Sequence, residues 1–209
     1  MAAGKRVSGS SSEAEAEVEV RGPGTRSGDP ETRARQICLR LLTAEPRTRA
    51  QLAQALQRRG VPDDAAEAVL SRFADAGLID DASFARAWVE SRHHSRGLSR
   101  RSLSAELRRR GVDSEEIREA VDTLDPEQEA ATARRLVEQK LASTRGQSPE
   151  ARARRTASLL ARKGYPPGLA FRLIREAMQQ EGAANVIDLD VEPYIALEDE
   201  LPEDEIPEG

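Results

Sequence analysis

Arginine dominates the chemistry open to this sequence. Every basic residue other than Lys5, Lys140 and Lys163 is an arginine. A guanidinium is a planar fork that matches carboxylates and phosphates, so the chemistry gathered here is non-covalent recognition of anions. Three groups stand out. Arg58 and Arg59 precede Gly60 in LQRRGV; Arg108, Arg109 and Arg110 precede Gly111 in LRRRGV, with Arg100 and Arg101 shortly before them. Arg162 and Lys163 precede Gly164 in LARKGY, after Arg152, Arg154 and Arg155. These twelve residues are the candidate contacts for an anionic partner.

Covalent and metal chemistry find no comparable support. Asp80 and Asp81 are adjacent at a helix start, where carboxylates cap free N–H groups and meet the positive end of the helix dipole. His93 and His94 point about 100° apart on a helix, unlike an i, i+4 metal pair, and are read as a helix end or exposed surface. Cys38 falls on an apolar stripe with Ala34, Ile37, Leu41 and Leu42 and reads as a packed thiol. The sequence contains no G-x-x-x-x-G-K-[ST], G-x-S-x-G or H-E-x-x-H motif. No catalytic residue, cofactor or metal ion is therefore expected.

The elements that must position the arginines are legible in the same hexapeptides. With glycine at C′ of a helix, the leucine four residues earlier is C3 and the apolar residue after glycine is C″. A Schellman stop brings these two together, pairing Leu56 with Val61, Leu107 with Val112 and Leu160 with Tyr165. Basic residues in the last turn suit the negative helix end. Start signals alternate with these stops. Thr48 and Gln51 form a capping box, Ser99 and Asp113 can cap, and Pro126, Pro149 and Pro167 sit where a helix opens. After each glycine, apolar residues fall at +6, +9, +10 and +13: Ala66, Val69, Leu70 and Phe73 in the first instance. The repeat predicts an all-α protein of three tandem three-helix modules, 30–78, 79–125 and 126–180, forming an elongated, curved array. Each module is expected to be too small to bury its apolar face alone, so neighbours should stack.

Charge is divided along the chain. Residues 181–209 hold eleven of the 37 acids and no base, and residues 1–29 hold five acids and four bases, which leaves the middle with a surplus of positive charge. Both ends lack a helical apolar period and are expected to be disordered. The acidic end reads first as a solubilising segment, with folding back onto the basic middle, or docking of its apolar islands on a partner, as alternatives. A single cysteine and the absence of a long apolar run point to a cytoplasmic protein that does not enter membranes. Trp88 shares a helical stripe with Ala85 and Val89, and core packing is favoured over base stacking for it.

The stretch GLIDDASFARAWVESRHHSRGLSRRSLSAELRRRGV, residues 77–112, resembles the signature region of the RecX family, bacterial regulators of the RecA recombinase. The GLIDD turn, the FA followed by W-V-E-x-R, the R-G linker and the basic helix stop carry the resemblance. ARQICLRLLTAEPRTRAQLAQALQRRGV, residues 34–61, is similar to the family's first module, and the third module matches more loosely. The resemblance implies a monomeric, non-enzymatic helical protein lying on the RecA–single-stranded-DNA filament. There it would limit ATP hydrolysis, strand exchange and the co-protease activity behind the SOS response. It also implies contact with DNA, single- or double-stranded. Two other readings stay open: a helix-turn-helix-like DNA-binding regulator, and a helical-repeat scaffold, which would need no arginine surplus.

Overall fold

The computed structural model describes residues 29–182, and every regular element among them is a helix. Three trios follow one another: α1 (Pro30–Ala44), α2 (Arg49–Arg58) and α3 (Asp63–Asp75); α4 (Asp81–Arg96), α5 (Arg100–Arg109) and α6 (Ser114–Asp122); α7 (Pro126–Ala142), α8 (Pro149–Arg162) and α9 (Pro167–Gln180). No helix among the described residues is long and apolar enough to cross a membrane. The expectations for the two ends lie outside the described residues, except at Asp29, Glu181 and Gly182.

Local signals place the helix ends. The capping box is complete: Gln51 N–H donates to Thr48 Oγ1 at 3.2 Å, and Thr48 N–H to Gln51 Oε1 at 3.1 Å. Ser99 Oγ accepts from Ser102 N–H, and Asp113 from Glu115 N–H. All three hexapeptides end in the expected stop. Val61, Val112 and Tyr165 donate to the carbonyls of Leu56, Leu107 and Leu160 at 3.2, 3.2 and 3.0 Å. Gly60, Gly111 and Gly164 carry φ of 67°, 74° and 80°, a region that costs a residue with a Cβ about 1–2 kcal/mol.

Each trio encloses its own core, and all the substantial helix packing lies within a trio. Leu52, Leu56, Val69 and Leu70 centre the first, Val89, Leu103, Leu107 and Ile117 the second, and Val137, Leu160, Leu173 and Ile174 the third. Cys38 is fully buried in the first core, and burial pushes its thiol up, as expected of a packed cysteine. The expectation that modules must stack to bury their apolar faces is corrected here. Small residues such as Ala34, Ala85 and Ala133, all wholly buried, let three short helices approach closely enough to close a core unaided.

What joins the modules is polar and sits at helix ends. At the first junction, Thr48 Oγ1 donates to the carbonyl of Arg110 at 2.6 Å, and Arg49 N–H donates to Asp81 Oδ1 at 2.9 Å. The second junction repeats the pattern: Ser99 N–H donates to the carbonyl of Lys163 at 2.9 Å, and Arg100 N–H to Glu129 Oε1 at 2.8 Å. Each time, the start of one module's second helix is seated on the stop of the next module's second helix. Tyr165 tightens the second joint by donating its hydroxyl to Gly97 O at 3.1 Å, and His93 bridges Leu98 O and Thr132 Oγ1. His93 is buried there while His94 is exposed, and both lie in the last turn of α4, as the reading of a helix end or surface expects.

The glycines register the difference between a joint and a free end. A Cβ on Gly111 would lie 2.3 Å from Ala50 Cβ, and one on Gly164 would lie 2.1 Å from Ser102 Oγ, whereas one on Gly60 would meet nothing within 4 Å. Gly60→Ala should therefore lose only the left-handed backbone term, about 1–2 kcal/mol. Gly111→Ala should lose more, because Ala50 must also move. Chemical denaturation compares them; equal losses would show that the first joint carries no packing constraint.

Candidate functional site

The joints set basic helix ends side by side. Lys163 sends its ammonium to the carbonyl of Arg96, the last residue of α4, in a very short contact. Burial lowers the Lys163 pKa, and the charges of Arg96 and Arg162 lower it further. Arg110 behaves alike: burial is the largest cause of its lowered pKa, Glu106 opposes it, and Arg92, Arg109 and Arg96 add to it. Arg96 thus bears on both groups, and one basic seam runs across the second and third modules through Arg92, Arg96, Arg109, Arg110, Arg162 and Lys163.

Trp88 anchors one end of the seam. The guanidinium carbons of Arg92 and Arg110 lie 4.1 and 3.6 Å from its ring centroid, and Phe84 stacks on it at 5.7 Å. Its indole N–H donates to Glu106 Oε2 at 2.7 Å. The ring packs against the second core but is only half-buried, so it is both core and platform for two cations. A cleft of about 640 Å³ opens at the other end, between α4, α7 and α8. Arg96, Arg135, Arg162 and Lys163 line it together with Leu98, Leu136 and Leu159.

The candidate residues take different positions relative to this seam. Arg109, Arg110, Arg162 and Lys163 are in it, and Arg108 adjoins it, exposed, on the last turn of α5. Arg100 and Arg101 open α5 next to Lys163. Arg100 forms an ion pair with Asp122 at 2.5 Å, while Arg101 is exposed. Arg154 and Arg155 are exposed on α8. Arg58 and Arg59 lie at the far end of α2, a helix length of about 15 Å from the first joint. Arg59 donates to its own Ala55 carbonyl at 3.0 Å, and its carbonyl accepts from Arg33 at 2.7 Å.

Arg152 turns inward, against the expectation of a surface contact. It is 8% exposed, donates to Leu141 O at 3.0 Å and pairs with Glu181 at 2.5 Å. Glu181, placed with the acidic end by its sequence, instead closes α9. The physical reason is position on the helix, since Arg152 shares the α8 face of Thr156 and Leu160, both fully buried. Sequence reasoning passed over Arg92, Arg96 and Arg135, which stand outside the hexapeptides. The i, i+4 spacing of Trp88, Arg92 and Arg96 on one helix face is the signal that could have found them.

A tandem of independently cored three-helix modules, jointed at helix ends and carrying basic side chains across the second joint, defines a helical-repeat protein. Models of the first, second and third three-helix domains of RecX match residues 34–73, 80–121 and 127–174. Regulatory protein RecX of Thermobifida fusca is 59% identical over 164 residues, covering 77% of this chain and 89% of that one. Its counterpart in Streptomyces coelicolor is 58% identical over 154 residues, covering 74% and 82%. The fold also matches a crystal structure of RecX from Lactobacillus salivarius, with a TM-score of 0.64 at 17% identity, covering 71% of this chain and 97% of that one. A further crystal structure of regulatory protein RecX gives a TM-score of 0.62 at 22% identity, covering 71% and 72%. The chain belongs to the RecX family of regulatory proteins.

Arg152→Ala should destabilise the third module by about 2–3 kcal/mol, because the buried Arg152 loses its bonds to the Leu141 carbonyl and to Glu181. The salt dependence of oligonucleotide binding should not change. A variant of normal stability with a reduced salt slope would return Arg152 to the contact set.

Proposed function

We propose that the protein regulates a RecA-type recombinase by binding the recombinase–single-stranded-DNA filament, and that its main effect is to restrain ATP hydrolysis, strand exchange and co-protease activity. The observation that carries this reading is the basic seam across two rigidly cored modules. It supplies an extended cationic surface to a polyanionic filament, and the polar joints allow the modules to follow neighbouring subunits. Regulation of this kind needs only different affinities for two filament geometries and no covalent step. The protein acts as a cytoplasmic monomer without a cofactor.

A helix-turn-helix-like DNA reader is the competing class. Such a protein presents its last helix to base edges. Here α3 opens with Asp63 and Asp64, both exposed, and α6 carries exposed Glu115 and Glu119, which phosphates repel. Arg118, which could relieve that charge, is already paired with Glu115 and lies near Asp122. The filament reading is the one the charge distribution favours.

Filament ATPase, measured with purified recombinase on single-stranded DNA, tests it. The chain should lower hydrolysis with increasing dose. Replacing Arg96, Arg109 and Arg162 by Glu should raise the dose required. The same variant should reduce the logarithmic salt slope of single-strand binding by about 2, at roughly 0.7 per phosphate contact. Full inhibition by the triple variant would overturn the assignment of the seam. Binding to naked duplex with no effect on the filament would favour the competing class.

A further inference from the structure

We propose that the cleft between the second and third modules is the docking site for this chain's own acidic segment, residues 183–209, which occupies it as an internal competitor of the anionic partner. The claim that it competes rests on the filament reading above; the docking does not. The cleft has two chemistries in one place. Arg96, Arg135, Arg162 and Lys163 supply cations, while Leu98, Leu136 and Leu159 supply apolar surface. A bare phosphate chain uses the first and leaves the second in water.

Residues 183–209 match both. They contain ten acids and no Lys or Arg, and two apolar islands lie among the carboxylates: Ile187, Leu189 and Val191 alternate with Asp188 and Asp190, and Tyr194, Ile195 and Leu197 form a run between Glu192 and Glu198. A solubilising segment has no use for that spacing. A segment that must satisfy cations and cover leucines at once requires it.

The tether permits the contact. The last described acidic residue, Glu181, is already held by Arg152 on α8, and Lys163 at the cleft stands one helix length further along α8. At 1.5 Å per residue that separation is about 16 Å, whereas 27 extended residues reach about 90 Å. A short tether makes the effective concentration of the segment millimolar, so an interaction too weak to matter between molecules fills the cleft within one. Lys163 is partly buried and lies beside Arg96 and Arg162 at the cleft, so carboxylates seated there would offset three neighbouring cations.

The test uses the full chain and needs no partner to read docking. Trp88 is the only tryptophan and lies beside the seam, and the only native thiol, Cys38, is buried. A fluorescent acceptor on Asp199→Cys therefore reports its distance from Trp88. Docking predicts strong energy transfer at low salt that falls as salt is raised, because screening shortens from about 10 Å at 0.1 M to about 3 Å at 1 M. It also predicts weak transfer at all salts when Arg96, Arg135 and Arg162 are changed to Gln. An undocked acidic segment behaves oppositely: self-repulsion extends it at low salt, and transfer rises as salt is added. That rise, or transfer indifferent to the three substitutions, would overturn the docking. A single-stranded oligothymidylate added to the labelled chain should then displace the segment and lower transfer. In the unlabelled chain, neutralising the ten acids should tighten oligothymidylate binding several-fold at low salt. An oligonucleotide that binds without changing transfer would overturn competition while leaving docking in place. If transfer behaves as docking predicts and the chain does not lower filament ATPase at any dose, the filament reading fails and the docking stands.

Discussion

The structure depends on how the last carbonyls of one helix are satisfied. A helix leaves its terminal C=O and N–H groups without internal partners. Here the carbonyls of Arg110 and Lys163, at the stops of α5 and α8, accept hydrogen bonds from the starts of α2 and α5 in the preceding modules. The free N–H groups of those starts go in turn to Asp81 and Glu129 of the following modules. Orphans of two helix ends complete one another. Each such bond is worth about 1 kcal/mol net, so a joint fixes direction firmly while opening at a cost far below that of unfolding a module.

That economy explains why the hexapeptide is basic. The residue that lends its carbonyl to the joint is the one immediately before glycine, and its side chain lies in the last turn, where a cation suits the helix end. Arg59 and Arg110 fold back on their own helices, and Lys163 crosses to Arg96. The side chain at this position bonds a backbone carbonyl in all three modules. The residue one place earlier, Arg58, Arg109 or Arg162, is exposed each time. Folding grammar and exposed cations thus occupy neighbouring positions of the same motif. The joint between modules converts two helix stops and one helix end into a single basic surface.

A regulator built this way does not need a pocket for chemistry. Cores such as that of Leu103, Leu107 and Val89 hold each module rigid, while the joints between them are a few hydrogen bonds. Rigid bodies on articulated joints can select one spacing of a repeating target over another, and under the proposed function this is how binding alone would alter the activity of a filament.

Much of this was legible in the chain, and the limits are physical. Helix starts at Thr48, Ser99 and Asp113, the three stops, and the apolar offsets after each glycine follow from interactions within a few residues, so sequence by itself determined the nine helices of 30–180 and their grouping by three. It also marked Cys38 as packed, because a 3.6-residue period assigns a face. Tertiary structure alone decided which arginines stay exposed and which turn inward. Arg152 and Arg155 look alike in sequence, yet one is buried against Leu141 and Glu181 and the other is exposed. Arg96 looks like an ordinary last-turn cation until α8 of the next module brings Lys163 to its carbonyl. It also decided that the modules meet through polar helix ends rather than stacked apolar faces. Those contacts join residues some 30 to 70 positions apart, and no local period reports what lies across such a distance.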